Sequence, residues 1–328
     1  LKILVTGSKG FIGRNLCKYL SKEHEVIRID REESELARTR TDGVRTISGS
    51  YYNLMNAMKD CNLVIHCAGR ADVQNSHIEL HEQFDDNLVS TKSVLDCMVG
   101  VGVKDLIFLS TAVVNGTGHL YFDANTGGYE PCITNEETIG NPISIYATTK
   151  KMAEQLIQGY TKNFGLRSLI LRLENIAGPY YSHGVILDFI QKLNKDPTIL
   201  EVMGDGQQRK AFLDVKDLCS IIDTLLSKVL FKMIPGDNAE IFNVGNLNWI
   251  FVSEIAGIVC DEMNLAPNIY YGNETGGFRG DVPIILMSKS KMLSFCKEPK
   301  LSSREAVRRT VKWLLQNKEI LNDKKGKE

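Results

Sequence analysis

Three observations predict an α/β chain with a doubly wound parallel sheet. Short, continuously apolar runs recur along the first half, as strands buried on both faces require. Segments with apolar residues at helical spacing lie between most of them, the alternation that puts helices on both faces of a parallel sheet. A glycine-rich turn, Gly7-Ser8-Lys9-Gly10-Phe11-Ile12-Gly13, joins the first run to the first helical segment. That strand, turn and helix are the opening unit of a Rossmann-type fold.

The elements follow in order. Leu1 to Val5 reads as a buried strand, Phe11 to Leu20 as a helix and Glu25 to Asp30 as a second strand. Val44 to Ser48, Leu63 to Cys67, Leu106 to Leu109 and Leu169 to Leu173 read as further strands, connected by right-handed crossovers. Pro142 and Ser144 open a helix in which Tyr146 to Tyr160 has few breakers. Past Pro179 the pattern becomes irregular, with a tight turn at Gly204-Asp205-Gly206 and a glycine-rich stretch from Gly272 to Gly280. These readings divide the chain into a nucleotide-binding domain, 1–178 with 207–247 returning to it, and a smaller, discontinuous, loop-rich α/β lobe, 179–206 with 248–328.

At 328 residues the chain is long enough for one large α/β domain with a lobe. The net charge of −1, with both signs dispersed, gives no electrostatic case for nucleic acid or an anionic membrane as partner. No apolar stretch reaches transmembrane length and no secretory signal precedes the first strand, so a reduced, cytoplasmic setting is expected. The eight cysteines, at 17, 61, 67, 97, 132, 219, 260 and 296, form no C-x-x-C pair, and neither disulfides nor zinc is expected. His77 and His81 stand four apart without an evident third ligand, so no metal site is expected. Lys324-Lys325-Gly326-Lys327 reads as a charged tail.

The glycine turn bears on chemistry. At a strand-to-helix junction, glycines let the backbone approach a pyrophosphate, while free amides and the helix dipole favour its charge. The second strand ends in Asp30, whose carboxylate can accept hydrogen bonds from both hydroxyls of an adenosine ribose. A 2′-phosphate would meet that carboxylate, so NAD is favoured over NADP, although Arg31 stands beside it. Ligands of such sheets bind at the carboxyl ends of the strands, which gathers Gly7, Asp30, Ala68-Gly69 and Ser110-Thr111 along one edge.

Tyr146 and Lys150 lie one helical turn apart and face the same way. An ammonium near a phenol favours the phenolate, as does the positive charge of an oxidised nicotinamide, so Tyr146 is expected to act as a general base near neutral pH. Ser110 and Thr111, at the end of a strand, offer a hydroxyl to hold a substrate oxygen.

With these residues in place the chain resembles the extended short-chain dehydrogenases/reductases, and among them the NAD-dependent sugar-nucleotide epimerase/dehydratase family, over nearly its whole length. The resemblance implies that Tyr146, Lys150 and Thr111 are catalytic, with Ser110 the second choice for the hydroxyl, and that Lys150 also binds the nicotinamide ribose. It implies that NAD is held by Gly7, Gly10, Phe11, Ile12, Gly13, Asp30, Ala68, Gly69, Asn87, Ser110, Tyr146 and Lys150, and that the substrate is held by Thr111, Asn175, Lys210 and Arg279. Asn175 lies in Arg172-Leu173-Glu174-Asn175-Ile176-Ala177-Gly178-Pro179, which resembles the family's R-x-x-N-x-x-G-P, and Arg279 in Phe278-Arg279-Gly280-Asp281-Val282-Pro283 is the expected diphosphate partner. Three departures stand out: Ser50 where an acid commonly follows Gly49, Lys210 where an arginine commonly meets phosphate, and Asn115 in place of the tyrosine of V-Y-G.

The resemblance also ranks reactions. Family 4,6-dehydratases place Asp-Glu directly after the catalytic threonine, where this chain has Ala112-Val113, and the family's 3,5-epimerases use a nearby cysteine that this stretch lacks. C4 epimerisation of a nucleotide-linked hexose, a UDP-hexose by family frequency, is therefore expected. A reductase or dehydrogenase with net redox is the alternative within enzymes, and a non-catalytic dinucleotide sensor the alternative outside them. Ile285 resembles a position that limits room around the sugar, and the family further implies a homodimer formed through two helices per subunit.

Overall fold

The computed structural model describes residues 1–30, 46–48, 51–116, 120–123, 128–131, 133–317 and 319. Arg31, Gly49, Ser50, Cys132 and the lysine-rich tail lie outside these residues.

Seven strands form one sheet: β1 (Lys2–Thr6), β2 (Glu25–Asp30), β3 (Thr46–Ser48), β4 (Leu63–His66), β5 (Asp105–Thr111), β6 (Arg167–Leu173) and β7 (Glu240–Val244). Their spatial order is β7-β6-β5-β4-β1-β2-β3, every pairing parallel. The order reverses between β1 and β4, and the crevice beyond their carboxyl ends is where such a sheet binds its ligand.

The strands are apolar throughout because both faces are covered. Alternate side chains serve opposite layers: Ile3, Val5, Ile65, Ile107 and Leu171 enter one core with Leu16, Leu218 and Phe242. Leu4, Val64, Leu106, Phe108 and Ile170 enter the other with Leu95, Met98 and Ile157. A third core is built from Ile186, Phe189, Leu200, Phe212, Ile255, Val259, Val307 and Val311, and Phe11 packs against both it and the first.

The helix carrying Tyr146 runs Ile145–Phe164. Ser144 caps it by accepting the Ala147 amide, and Gly165 ends it in the left-handed conformation at φ 67°. The region past Pro179 is more regular than its sequence reads. It contains the helices Val185–Lys195, Val215–Lys228, Val252–Met263 and Ser303–Gln316, and it supplies β7. Each of these helices carries a single apolar stripe, such as Ile186, Phe189, Ile190 and Leu193, and glycine-rich turns between them mask the periodicity. The edge strand β7 was missed because Glu240 and Asn243 interrupt its apolar run.

Candidate active site

Gly7 leaves β1 with φ +65°, and a Cβ there would stand 2.7 Å from the Ala68 amide nitrogen, so the β1 and β4 loops touch backbone to backbone. Gly13 serves packing, since its Cβ would lie 2.1 Å from the Gly7 carbonyl oxygen. Between them the Gly10 amide donates to the Gly7 carbonyl at 3.0 Å, and Gly10 caps the Phe11–Leu20 helix without a side chain. The first turn of that helix thus opens on a cavity of about 470 Å³ lined by Gly7, Gly10, Phe11, Asp30, Ala68 and Gly69. Asp30 accepts the Lys9 amide at 2.6 Å through Oδ2, which fixes its carboxylate beside the turn.

A buried relay locks the β4 loop. The Ala68 amide donates to Thr6 Oγ1 at 3.2 Å, and Thr6 Oγ1 lies 2.7 Å from His66 Nδ1. His66 Nε2 lies 3.0 Å from Thr91 Oγ1, which itself donates to the Asn87 carbonyl at 2.6 Å. With that hydroxyl proton committed, His66 carries its hydrogen on Nε2 and accepts from Thr6 at Nδ1. Burial pushes its pKa down to about 3, with Lys150 acting in the same direction. Asn87 completes the lock: its Oδ1 accepts the Arg70 amide at 2.9 Å, while its Nδ2 donates to Gln83 and, at 3.1 Å, to Thr149 beside Lys150.

The Tyr146 helix packs against β5, so the buried Tyr146 and Thr111 come together on one cavity wall. Burial lifts the Tyr146 phenol to about 12, and the Thr111 hydroxyl offsets only part of that rise. Lys150 lies one turn further along the same helix. The ammonium is turned to the Leu109 carbonyl at 2.6 Å and lies 4.2 Å from the centre of the Phe108 ring. Burial lowers Lys150 itself to about 8.

Ser110 lines the same cavity as Thr111 but gives its hydroxyl proton to Glu154 at 2.6 Å, whereas no such bond to Glu154 holds the Thr111 hydroxyl. Glu154 is two turns beyond Tyr146 on one helical ridge, and it holds Arg172 through two hydrogen bonds of 3.1 and 2.9 Å. Arg172 also donates to Asn115 Oδ1 and to the Glu136 carbonyl. Sequence reasoning missed this buried group. The continuation of the Tyr146–Lys150 spacing to Glu154 was the available signal.

A second cavity, of about 510 Å³, adjoins the first through Phe11, Cys67 and Gly69. Ile12, Asn87, Thr111, Tyr146, Lys150, Asn175, Lys210 and Ile285 all line it. Asn175 donates to the Ala211 carbonyl at 3.2 Å. Lys210 spends two donors on Asp281 and the Val282 carbonyl, at 2.7 and 2.8 Å. Arg279 is the residue the fold does not bring in: it stands exposed and outside the lining, while its neighbours Phe278 and Asp281 are part of the wall. The turn at Gly280, with φ +85°, separates Arg279 from Asp281. Gln208, His183 and Glu174 also line this cavity, and the motifs did not single them out. Among the described residues no group of three His, Cys, Asp or Glu side chains could hold a metal ion, and no helix is long and apolar enough to cross a membrane.

A Rossmann-type sheet with a glycine turn, a strand-end carboxylate and a Tyr–Lys helix facing a strand-end hydroxyl defines an extended short-chain dehydrogenase/reductase. The NAD dependent epimerase/dehydratase family matches residues 3–245, and the chain belongs to that family. A dTDP-D-glucose 4,6-dehydratase of Dictyostelium discoideum is 30% identical over 262 residues, 74% of this chain and 58% of that protein. A UDP-glucuronate 4-epimerase of Thermodesulfobacterium geofontis is 26% identical over 97% of each chain. A solved UDP-galactose 4-epimerase superposes with a TM-score of 0.81 at 30% identity, covering 97% of this chain and 99% of that one.

NAD is the cofactor of this family, and the residues present fit it. Gly7, Gly10 and Phe11 of the turn line one cavity with Ala68 and Gly69 of the β4 loop, and the Asp30 carboxylate, a hydrogen-bond acceptor for ribose hydroxyls, lines the same cavity.

Proposed function

We propose that this protein catalyses C4 epimerisation of a nucleotide-linked hexose, a UDP-hexose in the first instance, through a transient 4-keto sugar. The observation that carries the reading is that Tyr146, Lys150 and Thr111 gather on the wall of the cavity that adjoins the glycine-turn cavity, with apolar Ala112 and Val113 following Thr111. Removing a hydride from a secondary alcohol needs a base for its proton and an acceptor held close by. NAD, when bound, supplies the hydride acceptor and a positive charge near the phenol.

In this reading Gly7, Gly10, Phe11, Ile12, Asp30, Ala68 and Gly69 hold the cofactor, Gly13 seats the helix, and Asn87 holds the Gly69-Arg70 backbone in place. Thr111 orients the C4 oxygen. Tyr146 takes its proton and later returns it, and Lys150 binds the nicotinamide ribose and stabilises the phenolate. Asn175 and Lys210 grip the diphosphate while the sugar turns over within its pocket. Arg279, exposed as it stands, takes part only if the segment around Gly280 closes on substrate.

The division into 1–178 with 207–247 and 179–206 with 248–328 belongs to the same proposal, as does a cytoplasmic setting. So does a homodimer, supported by exposed Leu80, Phe84 and Val89 on one helical stretch and Met152 on the Tyr146 helix.

Incubating the purified protein with UDP- and dTDP-sugars and following products by NMR tests the reading. A C4-inverted sugar with no external NADH is expected. A 4-keto-6-deoxy sugar would identify a dehydratase, the second reading that the Dictyostelium relative favours, and accumulating NADH a dehydrogenase.

A further inference from the structure

Thr111 opens a single turn of 3-10 helix, Ala112–Asn115, by accepting the Val113 amide at 3.4 Å. Ala112 and Val113 line the cavity with Tyr146, whereas Asn115 is buried behind them and stands where the resemblance leads one to expect a tyrosine.

The Asn115 carboxamide joins two separate parts of that cavity's wall. Arg172, pinned by Glu154 of the Tyr146 helix, donates to Asn115 Oδ1 at 3.3 Å. A guanidinium has no acceptor, so the carboxamide has one orientation here, and its Nδ2 donates to Thr134 Oγ1 at 3.2 Å. Thr134 Oγ1 gives its own proton to the Leu286 carbonyl at 3.1 Å, and the same carbonyl accepts the Thr134 amide at 2.9 Å. The residue before Leu286 is Ile285, which lines the cavity together with Tyr146, Lys150 and Thr111. Donation therefore runs one way, from Arg172 through Asn115 and Thr134 to the Ile285-Leu286 backbone. Asn115 and Thr134 are each 6% exposed, so water does not readily replace a lost member.

We infer that Asn115 is a positioning residue: through Thr134 it sets the spacing between the Thr111 turn and the segment bearing Ile285, and with it the room left for the hexose. The inference deepens the nucleotide-sugar reading of the site and rests on it.

The test is equilibrium binding of UDP, UDP-glucose and the bulkier UDP-N-acetylglucosamine to the NAD-loaded protein, measured by calorimetry. The quantity read is the ratio of the two sugar-nucleotide affinities. Loss of folded protein lowers the active fraction for both alike and leaves that ratio alone. Thr134→Val keeps the side-chain size, the Thr134 backbone bonds and the Arg172–Asn115 bond, and removes only the hydroxyl link. It should shift the ratio towards UDP-N-acetylglucosamine by about tenfold, the worth of a small change of room in a pocket. Asn115→Ala should shift it the same way, and the double variant no further than the larger single shift, because members of one hydrogen-bond chain do not act additively. Thr134→Ser, which keeps the hydroxyl, should retain the unaltered ratio. Circular dichroism checks that each variant is folded. An unchanged or reversed ratio in either folded single variant would overturn the proposal, as would additive shifts in the double variant or an equal shift in Thr134→Ser. Failure of all three ligands to bind the unaltered protein, UDP included, would instead overturn the nucleotide-sugar reading beneath it.

Discussion

Lys150 reaches from its helix to the Leu109 carbonyl on β5, at 2.6 Å, and that bond ties the helix of Tyr146 to the strand that ends in Thr111. One strand end and one helix thereby become a single rigid unit. Burial dominates Tyr146 and pushes it up to about 12. A positive charge arriving with the cofactor has to supply the remaining activation.

Tyr146→Phe removes the proton acceptor and leaves the cradle intact. Turnover should fall by about 10²–10⁴-fold, the ordinary worth of a positioned general base. NAD content after purification should be unchanged. Comparable kcat in the variant would take the base role from Tyr146.

Glu154→Ala would strand Arg172, a fully buried guanidinium, without its carboxylate. Breaking one side of a buried ion pair costs about 3–5 kcal/mol, so denaturant unfolding should shift by that order. Glu154→Gln keeps one acceptor oxygen, which can still serve Ser110 and the Arg172 Nε, and should lose less. Equal midpoints for the Ala variant and the unaltered protein would show that the pair is unimportant to the fold.

His66 ties stability to pH. Its folded pKa is lowered to about 3 by burial, whereas in the unfolded chain it protonates near its ordinary value of about 6.5. The unfolded state therefore binds the extra proton between those limits. The contribution of neutral His66 is complete above the upper limit and is lost as pH falls towards the lower one. Between pH 7 and pH 5, unfolding free energy should drop by about 2 kcal/mol more in the unaltered protein than in His66→Gln. Parallel pH profiles would remove His66 from this role.

Gly7→Ala should weaken both cofactor binding and the fold. Its backbone has φ +65° and its Cβ would press on Ala68, so about 1–3 kcal/mol of strain is expected. NAD titration of the folded fraction separates the two effects. Unchanged affinity would show that the β1 turn does not approach the cofactor.

Much of this architecture was legible because its signals are local. Gly7, Gly10 and Gly13 sit in one turn, Asp30 ends an unbroken apolar run, and Tyr146 and Lys150 share a helical ridge. The partnerships beneath the site were not legible, because their members are far apart in the chain and are chosen by burial. Thr91 against His66, Arg172 against Glu154 and Lys289 against Glu174 each required the sheet order before they could be paired. Arg279 differs from these, since its motif points to the site while its side chain stands exposed and outside the cavity lining.

The most direct test of the central claim uses a UDP-hexose carrying deuterium at C4, followed by NMR through one turnover and many. The account predicts that the label stays on C4 of the inverted sugar, lifted and returned within a single binding event. Deuterium lost to water, moved to C6 or collected in free NADH would contradict it.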